Sequence, residues 1–88
     1  MKHINNPEYI KTLSVERQKQ IKAIRSAIDS HDFVEQRIDV LNHIGIEVEK
    51  APMGSGGVGQ IKEMANGKIR VQIGYGTGKH NYAMVAVT

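Results

Sequence analysis

The chain has 88 residues, 40% hydrophobic and 24% charged, a balance that suits one small folded domain and excludes the low-apolar composition of a disordered chain. It holds no cysteine, which excludes disulfides, a thiolate nucleophile and a Cys-ligated zinc site, and its net charge of +3 permits attraction to phosphates without requiring it. No window approaches the roughly 18 apolar residues of a membrane helix, and MKHINNPEYI carries no apolar leader-like run, so the expectation is a cytoplasmic protein with no membrane partner.

All nine glycines lie from Gly45 onward. That shift divides a single domain, 1–88, into a helical half over 1–44 and a sheet half over 45–88. Asn6-Pro7 reads as a helix cap followed by proline at the first helical position, opening a short helix to about Leu13. Ser14 caps a second start, and Ile21, Ile24 and Ile28 recur at helical spacing from Val15 to about Asp29. Asp32 with Glu35 has the form of a capping box, predicting a helix from Phe33 to about Ile44, stopped by Gly45. Its apolar arc takes Phe33, Val34, Ile38, Val40, Leu41 and Ile44. Only Ser30, His31 and Asp32 separate the two main helices, so they are expected to pack as an antiparallel hairpin.

In the sheet half, Ile46 to Glu49 alternates and reads as a strand ending at Ala51-Pro52. Asn66-Gly67 signals a two-residue hairpin turn, which pairs Met64 with Ile69, Glu63 with Arg70 and Lys62 with Val71. Ile69, Val71, Ile73 and Tyr75 then share the face toward the helices. Tyr82 to Val87 is apolar on both faces. The expected fold is α+β: a helical hairpin with a short leading helix, packed on a four-stranded antiparallel meander. In that meander the last strand is an edge, which predicts a homo-oligomer joined through Tyr82, Met84, Val85 and Val87, with Arg37 at or near the interface. Arg37 lies on the apolar arc of its helix and calls for an internal or intersubunit carboxylate, whereas Arg17 is expected to reach solvent.

Two glycine-rich connections, PMGSGGV and GTGKH, fall at the same end of such a sheet. They bring together Lys50, Ser55, Gly56, Gly57, Tyr75, Thr77, Gly78, Lys79, His80 and Asn81, where backbone N–H groups, hydroxyls and a lysine could hold an anion. Neither stretch is a Walker A loop or a dinucleotide fingerprint: position 73 is Ile and no helix follows. A basic set, Lys19, Lys22, Arg25, Lys68 and Arg70, could instead contact a nucleic-acid backbone. Asp39 and His43 share a helix face without a third ligand, and no nucleophile motif is present, so neither a metal, a cofactor nor an enzyme is implied. The leading expectation is a non-enzymatic protein capturing a small, nucleotide-like anion. The alternatives are an accessory or inhibitor protein of phage or mobile-element type acting on a protein partner, and a nucleic-acid binder.

Overall fold

A computed structural model describes residues 2–51, 57–75 and 81–86, with the backbone alone for Lys50, Ala51, Tyr75 and 81–86. The chain forms an α+β domain in which helices cover an antiparallel sheet. Its radius of gyration, 11.9 Å, is close to the ~12 Å expected of one packed unit of this length.

Local chemistry sets the helix starts and stops. The Asn6 side chain accepts from Glu8 N–H and opens α1, Pro7–Ile10, which ends sooner than the expected Leu13. Ser14 Oγ accepts from Arg17 N–H at 3.2 Å and opens α2, Val15–Ser30. This helix buries Ile21, Ile24 and Ala27. The capping box at Asp32 does not form: the cap of α3, Val34–His43, is Phe33, with no side-chain bond to the first turn. The cause is tertiary, because Arg37 of α3 bonds the His31 carbonyl and sets the path of the connection. At its far end, Gly45 takes φ +88, its N–H bonds Asn42 O, and Ile46 N–H bonds Leu41 O, the paired bonds of a Schellman stop. Leu41 is fully buried, but Phe33 and Ile44, expected on the apolar arc, are 67% and 53% exposed.

The strands are β1 (Val48–Ala51), β2 (Ile61–Glu63), β3 (Ile69–Tyr75) and β4 (Asn81–Ala86), in the spatial order β1-β4-β3-β2. The expected meander is therefore wrong for β1, which pairs with β4. A strand rich in apolar residues on both faces gains most from an inner position, and β4 has neighbours on both sides. The N-terminus also departs from the helical half: Ile61 N–H donates to Lys2 O, Ile4 N–H donates to Gly59 O, and Ile4 is buried.

The β2–β3 register differs by one residue from that read from Asn66-Gly67. Ile61 faces Val71, Lys62 faces Arg70 and Glu63 faces Ile69. Of Asn66 and Gly67 only the glycine takes positive φ, and Met64 N–H bonds Lys68 O, so the loop has three residues instead of two. Burial explains the choice: the expected register would set Lys62 beside Val71 in the core, whereas the observed one buries Ile61 there. Glu63 consequently loses Arg70 and meets Lys2 Nζ at 3.3 Å.

Candidate functional site

Both glycine-rich segments leave the sheet at one end. Ala51 of β1 and Tyr75 of β3 each pair with Asn81 of β4, so three chain ends stand side by side within about 10 Å, two strand spacings. The returning end of the first segment is fastened to the same region, since Gly59 N–H donates to Gln72 O at 2.7 Å and Gln72 N–H donates to Gln60 O at 3.0 Å. The change of strand order tightens this grouping, because β1 and β3 now flank β4 directly.

Ser55, Gly56, Thr77, Gly78, Lys79 and His80 lie outside the described residues. Lys50, Tyr75 and Asn81 are placed by their backbone at or beside the ends of β1, β3 and β4. Gly57 N–H already donates to Gln60 Oε1 at 2.9 Å, which removes it as an anion donor. The sheet face away from the helices carries Gln72, in register through Ala83 with Glu49, a carboxylate.

Three residues that the sequence reading passed over frame this end of the sheet. Gln72 is 2% exposed, and its Nε2 donates to Gly74 O. His3 Nδ1 accepts from Asn5 N–H, which leaves Nε2 to donate to Val58 O at 3.1 Å and pin the first segment's return. Gly59 sits against that ring with φ +89, where a Cβ would stand 2.6 Å from His3 Cε1. The one signal available was Gly74: a glycine inside a strand pattern marks a bulge, and the β3–β4 register does shift between Gln72 and Gly74. Ile69, Val71 and Ile73 are buried as expected of one shared face, and of Tyr75 only the backbone is described.

Among the described residues Arg37 meets no carboxylate of its own chain. Its Nε donates to His31 O at 2.6 Å, Nη1 to Ile73 O at 2.6 Å and Nη2 to Ile28 O at 3.3 Å. The bulge accounts for Ile73 O, and the end of α2 supplies a carbonyl that has no further turn to receive it. Arg17, expected to reach solvent, is half-buried and donates to Gly67 O on the exposed hairpin loop. The interface reading of β4 also changes: pairing on both sides leaves no free edge over Asn81–Met84, which includes Tyr82 and Met84, and Val85 pairs with Arg70. Val87 lies outside the described residues.

The basic set does not form one surface. Lys19 and Lys22 are exposed on α2 and Arg25 is half-buried there, while Arg70 alternates with Ile69 and Val71 and so occupies the opposite, helix-free face. Lys68 is half-buried beside the hairpin loop. Beside β2, burial raises the pKa of Tyr9 above the usual tyrosine value, and the Glu63 carboxylate adds to the rise against an opposing effect of Arg17. Among the described residues no three His, Asp or Glu side chains gather to hold a metal ion, and no helix is long and apolar enough to cross a membrane. Comparison with family models, with curated proteins and with solved structures gives no match.

Proposed function

We propose that the chain is a cytoplasmic, non-enzymatic binding protein that captures a small anionic, nucleotide-like ligand at the glycine-rich segments. One observation carries the reading: Ala51, Tyr75 and Asn81 are register neighbours, so two segments rich in glycine, hydroxyl and lysine start from a single end of the sheet. Glycine frees backbone N–H groups to turn inward, and Lys79 supplies the point charge that a phosphate needs. Self-association through β4 is not part of this reading, since β4 lies inside the sheet and the outer strands are β1 and β2.

Thermal denaturation against mono-, di- and cyclic nucleotides tests it. A ligand at 100 times its Kd stabilises the native state by about 2.7 kcal/mol, a rise of roughly 10–20 °C in a domain this small. The Lys79→Ala/His80→Ala variant is expected to lose that rise while melting normally without ligand. No shift with any nucleotide, or an equal shift in the variant, removes the proposal.

A further inference from the structure

The helical layer carries a second surface, remote in character from the glycine segments. Between α1 and the outer side of α2 runs a groove of about 470 Å³, lined by Asn5, Pro7, Ile10, Lys11, Gln18 and Arg25. A neighbouring groove of about 360 Å³ shares Ile10, Gln18 and Arg25 and adds Val15, Lys19 and Lys22. The shared residues make the two a continuous trough along α2, from Val15 to Arg25, a length of about 15 Å.

Its lining is cationic and apolar with no carboxylate. Lys11 is engaged by Glu8 at 3.6 Å, but among the described residues Lys19, Lys22 and Arg25 take part in no ion pair. Arg25 Nε is buried with no hydrogen-bond partner among the described residues. Between these charges lie Ile10 and Val15, and Val15 is 67% exposed although it is apolar. Gln18 is held in place, its Nε2 donating to Leu13 O at 2.9 Å. Asp29, one turn beyond Arg25, closes the basic stripe.

We infer that this trough docks an acidic amphipathic helix of a partner protein, with its apolar residues on Ile10 and Val15 and its carboxylates on Lys19, Lys22 and Arg25. The complementarity is of both kinds at once, cationic and apolar side chains sharing one lining, and about three turns of helix match the trough in length. A nucleic-acid backbone would satisfy the cations only. It has no use for an exposed Val15, no aromatic side chain lines the trough for base stacking, and Arg70 lies on the other layer.

The probe is a fluorescein-labelled helical peptide of about 15 residues, with leucine at helical spacing and glutamate elsewhere, titrated by anisotropy. Saturable binding is expected, weakened about tenfold by Lys22→Glu/Arg25→Glu and also reduced by Val15→Ser. Circular dichroism melts of the variants establish that they fold, and Lys22→Gln supplies a milder change should the double reversal not fold. Absence of binding overturns the inference. So does equal binding of a composition-matched scrambled peptide, or a single-stranded oligonucleotide that binds more tightly and is weakened by the same substitutions. The nucleotide-dependent thermal shift of the glycine segments is expected to be unchanged in these variants, so the two proposals fail separately.

Discussion

Arg37 is the residue on which the helices and the sheet agree. One guanidinium collects carbonyls from α2, from the connection to α3 and from the bulge in β3, a task its planar fork suits and an ammonium does not. Arg37→Met should therefore cost about 3 kcal/mol, read as a fall of roughly 10–20 °C in the melting temperature, and Arg37→Lys should recover less than half of it. A Met variant that melts with the parent would show that the three bonds add nothing net. Tyr9 gives a pH-dependent test. Its folded-state pKa is raised, so above the usual tyrosine range the unfolded chain has released the phenol proton while the native chain retains it, and stability falls as pH rises. In Tyr9→Phe the decline of urea stability between about pH 9.5 and 11 should be shallower than in the parent. At this scale the sequence was readable where a residue acts on its near neighbours: Asn6 and Ser14 cap as their positions suggest, and Gly45 stops α3. The partner of Arg37 was not, because carbonyls of Ile28 and Ile73 become available only once a helix has ended and a strand has bulged.

Between elements, Gly74 sets how closely α3 approaches β3. A Cβ there would stand 2.7 Å from Val34 Cγ2 and 3.0 Å from Val34 Cβ, and a branched side chain at the start of a helix has little room to retreat. Gly74→Ala is expected to destabilise by about 2 kcal/mol, and Val34→Ala in the same chain should return part of that. Additive losses in the double variant, measured by chemical denaturation, would show that the two positions do not meet. The hairpin teaches why element type was easier to read than pairing. Asn66-Gly67 marks a turn, yet the same dipeptide serves a two- and a three-residue loop, and the choice is made by whether Ile61 or Lys62 enters the core.

For the molecule as a whole, the non-local pairing of β1 with β4 is the feature least visible in the chain, since no local signal says which strand lies beside which. It changes the basis of the ligand reading from loops facing each other across a meander to ends gathered around one strand. It also makes β4 the strand that joins the rest: among the described residues β1 has no other strand partner. A chain ending at His80 should therefore show no cooperative unfolding transition by circular dichroism, whereas loss of an edge strand would leave a weakened but cooperative core. A two-state melt in that truncation would contradict the central role of β4.

The strand order also orders events in time. Ala51 must wait for Asn81, about thirty positions later, before β1 has anything to pair with, so contacts formed early cannot build that end of the sheet. The ends from which the glycine segments emerge come together only when the final strand slots between its neighbours. A ligand held there would have no affinity for a half-folded chain, and its binding would report completion of folding.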